Sequence, residues 1–243
     1  MRLKQRLLAI YQNLYTSYGP QGWWPTTPPG KTTPVYRPGA TSRRLNQRER
    51  WEIMVGALLT QNTTWHNAEL CLEALSASGS LDLRELHDLP LEQLSGLIRP
   101  ARYFNQKAQR LHDLAGYVLE AYGGSIAALT GRPPAELRPE LLALKGIGQE
   151  TADSILLYAA QYPFFVIDAF TRRICHRLGL AAVSASYGEL QDLFARALPA
   201  DADLFNEYHA LFVRHAVEHC RPKPQCDSCC LRKSCRYGVE TVD

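Results

Sequence analysis

Apolar residues recur along most of this chain at intervals of three and four, the period of a helix with one face turned inward. Leu3, Leu7, Leu8, Ile10, Tyr11 and Tyr15 mark an opening amphipathic helix that ends near Gly19-Pro20. Gln21 to Asn46 is rich in Pro, Thr and Gly and reads as a long loop carrying Gly22-Trp23-Trp24-Pro25. Helical periodicity then predicts elements over about Arg48–Gln61, Trp65–Leu75, Leu91–Ile98, Tyr103–Ala121 and Pro134–Leu142. Four more are expected over Gln149–Ala160, Ala169–Leu178, Tyr187–Leu198 and Leu204–Glu218. Alternating strand patterns are nearly absent, and no repeat or low-complexity segment interrupts the series. The fold class that follows is all-α, with roughly ten helices and short connections.

Composition agrees with a packed globular chain. Hydrophobic residues make up 46% and charged residues 21% of 243 residues, which excludes disordered and collagen-like classes. Apolar runs such as Ile155–Ala160 fall far short of the ~20 residues that a membrane span needs. Met1-Arg2-Leu3-Lys4-Gln5-Arg6 is basic but is followed by no apolar stretch of signal-peptide length, so a cytoplasmic chain with no membrane partner is expected; a monomer is the expected state. The formal charge of +3 says little by itself, but its distribution says more. Between Arg214 and Tyr237, six Lys/Arg face only Glu218 and Asp227, a local +4 that leaves −1 for the rest of the chain. Such a patch suits a polyanion.

Three features carry candidate chemistry. Five of the seven cysteines (Cys220, Cys226, Cys229, Cys230 and Cys235) crowd the C-terminal region, while Cys71 and Cys175 lie in apolar helical surroundings as inert core residues. In a reducing compartment the cluster reads as a metal site, and four thiolates at this spacing suit either zinc or a [4Fe-4S] cluster. Leu144-Lys145-Gly146-Ile147-Gly148 forms a turn between two helical segments, with exposed N–H groups at the start of the next helix that can bind a phosphate. A hydrophobic stretch, Pro163-Phe164-Phe165-Val166-Ile167, leads into Asp168 at a helix start, where one carboxylate oxygen can cap while the other faces a cleft.

The run Leu144 to Asp153, followed by Val166-Ile167-Asp168, resembles the helix-hairpin-helix and aspartate signature of the endonuclease III superfamily of DNA glycosylases. Cys220-x5-Cys226-x2-Cys229-x5-Cys235 is similar to that family's C-terminal [4Fe-4S] loop, and Leu58-Leu59-Thr60-Gln61-Asn62-Thr63 to the segment whose glutamine enters the DNA stack. These motifs fall in family order from Glu52 to Cys235. The resemblance implies a two-lobed helix-hairpin-helix glycosylase fold with a C-terminal iron–sulfur loop over 220–235. One lobe of six helices would span 48–162; the other would combine 1–47 with 163–243, and the DNA groove would lie between them. It further implies double-stranded DNA containing damaged bases as partner, Asp168 as the catalytic carboxylate, and Gln61, Lys145, Gly146, Gly148 and Thr151 as DNA-binding residues. Cys220, Cys226, Cys229 and Cys235 would be the cluster ligands, leaving Cys230 surplus.

Two departures refine the expectation. The first cysteine gap is five residues where the family usually has six. Glu150 stands where bifunctional members carry the lysine whose amine forms a Schiff base with the sugar, and a carboxylate cannot form that imine. Lys145 precedes the first glycine and does not take over the role. Gly22-Trp23-Trp24-Pro25, Gln61–Trp65 and Gly-Ile-Gly-x-Glu resemble the 3-methyladenine DNA glycosylase III branch, which implies Trp23, Trp24 and Trp65 as stacking walls for an alkylated purine. The function expected is monofunctional base excision with weak or absent AP lyase activity. The alternatives are an endonuclease III-like glycosylase/lyase acting on oxidised pyrimidines, or a silent damage-binding protein.

Overall fold

The computed structural model describes residues 2–39 and 43–240. Residues 1, 40–42 and 241–243, which the expected lobes include, lie outside the described residues. The helices are α1 (Leu3–Tyr18), α2 (Gln47–Leu59), α3 (Trp65–Ala77), α4 (Leu83–Asp88), α5 (Leu91–Leu97), α6 (Phe104–Tyr122) and α7 (Ile126–Thr130). They continue with α8 (Pro134–Ala143), α9 (Gln149–Ser154), α10 (Ala169–Arg177), α11 (Tyr187–Ala197), α12 (Ala202–Glu218) and α13 (Arg236–Glu240). Among the described residues the only extended pairing is a single bridge between Thr26 and Val35, and no helix is long and apolar enough to cross a membrane. Three short helices, α4, α7 and α13, add to the elements expected from periodicity; at six, five and five residues they are too brief to display a period.

The chain forms two compact units, Met1–Trp23 with Pro38–Thr41 and Pro163–Asp243, and Trp24–Arg37 with Ser42–Tyr162. Residues 24–37 thus go with the second unit, whereas the expected boundary grouped all of 1–47 with the C-terminal region. The reason is a buried anchor. Thr27 donates its N–H (2.9 Å) and its hydroxyl (2.6 Å) to the Glu52 carboxylate of α2, which is fully shielded from solvent.

In the second unit α2 is the central helix, buried on every side from Trp51 to Leu59. A helix apolar all round must be surrounded, and its start is fixed by a reciprocal cap between Asn46 and Glu49. α9 passes into a wider turn over Ile155–Ala159, closed by the Ala160 N–H on the Ile155 carbonyl at 2.9 Å. In the first unit the core is aromatic. Phe165 stacks on Phe194 with centroids 3.8 Å apart, Tyr208 meets both edge-on, and the Tyr208 hydroxyl donates to the Leu7 carbonyl of α1 at 2.9 Å.

Candidate active site and cysteine loop

The hairpin belongs to the second unit. α8 ends at Ala143, Gly146 adopts φ +88°, buried Ile147 pins the turn, and Gly148 is the extended cap of α9. Glycine is called for at 146 by the left-handed backbone, which disfavours a side chain, and the Arg110 side chain lies over the space a Cβ would take. The two arms are joined by Arg138, which donates to both oxygens of buried Asp153 at 2.7 and 3.1 Å. Lys145, Gly148 and Glu150 are exposed, while Thr151 is buried.

Gln61 meets this hairpin directly. Its Nε2 donates to the Gly146 carbonyl and to Thr151 Oγ1, both at 2.9 Å, and its Oε1 accepts from Arg110 Nη1 at 2.8 Å. The structure therefore brings Gln61, Gly146 and Thr151 together, with Gln61 bonded at both ends of its amide. Beneath it lies Lys107, 1% exposed, whose Nζ donates to the carbonyls of Leu59 (2.8 Å), Gln61 (2.6 Å) and Ala101 (2.7 Å). Those carbonyls end α2 and the turn before α6, where three exposed residues hold left-handed angles: Asn62 (φ 52°), Arg102 (58°) and Tyr103 (44°). Such strain persists only where the surroundings impose it, and the buried ammonium supplies that constraint.

Trp24 and Trp65 are also brought together, rings T-shaped at 5.3 Å, with Tyr158 on the other side of Trp24 at 5.2 Å. Trp24 lies so close to α2 that a Cβ on Gly56 would come within 2.9 Å of its ring. Trp23 belongs to the first unit, where the preceding Gln21 N–H donates to the buried Glu207 carboxylate at 2.7 Å.

Asp168 is in the first unit, set at the end of the buried Phe165-Val166-Ile167 run. Its Oδ1 accepts the Thr171 N–H at 2.6 Å as the cap of α10, and its side chain keeps 14% exposure. Oδ2 faces His209 Nε2 of α12 at 3.7 Å. The helix cap anticipated from sequence is thus present, with the second oxygen turned to His209.

Cys220, Cys226, Cys229 and Cys235 line one cavity, together with apolar Ile174, Leu178 and Leu231. All seven cysteines are free thiols, and Cys71 and Cys175 are buried in the cores. Arg177 straps the loop by donating to the Cys220 sulfur (3.3 Å) and the Arg221 carbonyl (2.6 Å), and Arg173 holds the Cys220 carbonyl at 2.8 Å. Burial, and then the neighbouring sulfurs of Cys230, Cys235 and Cys220, push the Cys229 thiol up to about 11. Several thiols gathered at one cavity are a donor set suited to a cation, which deprotonates a coordinating thiol outright. Among the described residues no three His, Cys, Asp or Glu groups converge on a single-ion position; the four sulfurs border a space instead.

Sequence reasoning missed Lys107, Arg110, Tyr158 and His209. A signal existed for two of them: Lys107 lies on the α6 stripe with Leu111, Leu114 and Val118, and His209 on the α12 face with Phe205 and Phe212. A polar residue on an apolar stripe is the informative exception.

With this geometry in place, the comparisons define the class. The model of the HhH-GPD superfamily of base excision DNA repair proteins matches residues 55–200, and the chain belongs to that family of DNA glycosylases. A Methanocaldococcus jannaschii protein named provisionally as a DNA repair glycosylase is 38% identical over 232 residues, covering 95% of this chain and 96% of that one. Endonuclease III of Sulfolobus acidocaldarius is 27% identical over 191 residues, covering 78% and 82%. Among solved structures, an endonuclease III–DNA covalent intermediate shares the fold over the whole of both chains, with a TM-score of 0.76 and 20% identity. A 3-methyladenine DNA glycosylase of H. pylori bound to 1,N6-ethenoadenine matches with a TM-score of 0.69 and 25% identity, covering 90% of this chain and 98% of the other.

Proposed function

We propose that this chain is a monofunctional DNA glycosylase that acts as a monomer on double-stranded DNA, hydrolysing the N-glycosidic bond of damaged bases, alkylated purines such as 3-methyladenine first among them. The observation that carries the reading is a pair of carboxylates. Asp168 keeps 14% exposure at a capped helix start in the first unit, and in the second unit exposed Glu150 occupies the first turn of α9 where a Schiff-base amine is needed for strand cleavage. Glycosidic cleavage builds positive charge on the sugar; an ionised Asp168 stabilises that charge and takes the proton of the attacking water. Without an amine nucleophile the leaving group must depart readily, and a cationic alkylated purine does so.

Supporting roles follow from the same residues. Gln61 exchanges its bonds to Gly146, Thr151 and Arg110 for the base left without a partner. Lys145, Gly146, Gly148 and Thr151 form the backbone-binding hairpin. Trp24 and Trp65, with Trp23, provide aromatic faces for a cationic base. Cys220, Cys226, Cys229 and Cys235 hold a [4Fe-4S] cluster, zinc being the alternative; the support is that all four line one cavity, and the group's contribution is to cross-link the loop. Exposed Arg221, Lys223, Lys233 and Arg236 on that loop then meet phosphates.

A second reading has its own support: an Aeropyrum pernix relative named thymine-DNA glycosylase is 26% identical over 197 residues, so mismatched or deaminated pyrimidines are the rival substrate. Base release from duplexes carrying 3-methyladenine, uracil, mispaired thymine or an oxidised pyrimidine decides between them. Release of the alkylated purine foremost supports the proposal. Release of pyrimidines alone overturns its substrate, and no release from any duplex leaves a damage-binding protein.

A further inference from the structure

Asp168 is held from two directions, and only one of them is local. The local hold is the cap: Oδ1 accepts the Thr171 N–H at 2.6 Å. The distant one comes from the middle of α12, which packs on α10 and presents His209 with its Nε2 3.7 Å from Oδ2. The imidazole is rooted between Phe205, Tyr208 and Phe212, its side chain is 9% exposed, and Nε2 itself is shielded from water. Burial pulls His209 below the ordinary histidine range, while the Asp168 charge acts the other way; the ring is neutral at neutral pH. The other titratable neighbour of the carboxylate is the Cys175 thiol of α10, which burial and then Asp168 push up to about 12, so it too carries no charge.

We propose that His209 is the positioning residue for Asp168: an imidazole in the Nε2–H tautomer that holds Oδ2 in its working orientation while Oδ1 caps α10. The reasoning is electrostatic. A bare ring nitrogen facing Oδ2 would set one lone pair against another, so the proton belongs on Nε2. An imidazolium in this position would cancel the negative charge that the developing sugar cation needs, whereas a neutral N–H lends only a dipole. At 3.7 Å the contact is longer than a formed hydrogen bond, and it shortens when substrate draws the carboxylate into place. Its Nε2 is shielded from water, and its part is orientation.

The inference rests on the proposed catalytic role of Asp168, and the test separates the two. Single-turnover base release is measured for wild type, Asp168→Asn, His209→Leu and His209→Gln on the duplex that wild type cleaves, alongside affinity for a duplex carrying an abasic-site analogue. Asp168→Asn abolishes release. His209→Leu slows it about tenfold or more with affinity unchanged, and His209→Gln, whose amide restores an N–H, recovers most of the rate. Nitrogen NMR of the His209 ring in the full chain shows Nε2 protonated in wild type and a changed environment in Asp168→Asn. Full activity in Asp168→Asn defeats the catalytic reading, and this inference with it. If Asp168→Asn is dead, a wild-type rate in a folded His209→Leu, or an unprotonated Nε2, overturns the His209 assignment alone.

Discussion

The hairpin and the cysteine loop are held together by opposite means. Around the hairpin the buried polar groups are partnered inside the protein: Arg138 on Asp153, Gln61 on Gly146 and Thr151, Lys107 on three carbonyls. The cysteine loop runs through a three-residue turn and a five-residue helix, and over 220–240 buries only Leu231 and Gly238. One region is organised by its own packing and polar bonds; the other brings four sulfurs around a space and depends on what fills it. On the proposed reading, the surface that meets DNA is built in one region from protein alone and in the other from a ligand-made cross-link.

The largest expected effect separates the two regions. Removing the metal group, or replacing Cys229 with Ser, forfeits metal-binding energy on the order of 10 kcal/mol that is also folding energy for the loop. Hydrogen exchange then shows 220–240 unprotected while the hairpin stays protected, and equal loss in both would break the contrast. Next comes Arg138→Met, which leaves buried Asp153 uncompensated and costs about 3–5 kcal/mol in denaturant unfolding, with the visible absorption of the cysteine loop unchanged. Lys107→Met orphans three carbonyls and costs about 3 kcal/mol, with the chemical shifts of Asn62, Arg102 and Tyr103 moving as their left-handed angles relax. The smallest effect is a slope. Burial pulls the Lys107 amine down to about 8, while in the unfolded chain it titrates near 10.5. Between those values the unfolded state binds the extra proton, so stability rises with pH across the window, and Lys107→Met flattens the rise.

The same contrast explains what could be read from the chain before its structure. The hairpin turn, the Asp168 cap and the cysteine spacing are contiguous or nearly so, and their chemistry is dictated by neighbours within a few residues. Lys107 finds the Leu59 carbonyl 48 residues away, and His209 reaches Asp168 from another helix; only tertiary packing creates those contacts. Trp23 and Trp24 look alike in sequence, yet buried Glu207 anchors the loop before one and buried Glu52 the loop after the other, so they fall in different units. The left-handed Arg102-Tyr103 pair left no mark in composition because neither residue favours that backbone; the carbonyl cage around Lys107 imposes it.

Borohydride trapping on a duplex that the protein cleaves tests most directly the proposal that no amine acts as nucleophile. The account predicts free base released with no covalent protein–DNA adduct, and an adduct appearing only when Glu150→Lys supplies the amine. A trapped adduct with the wild-type chain would contradict it.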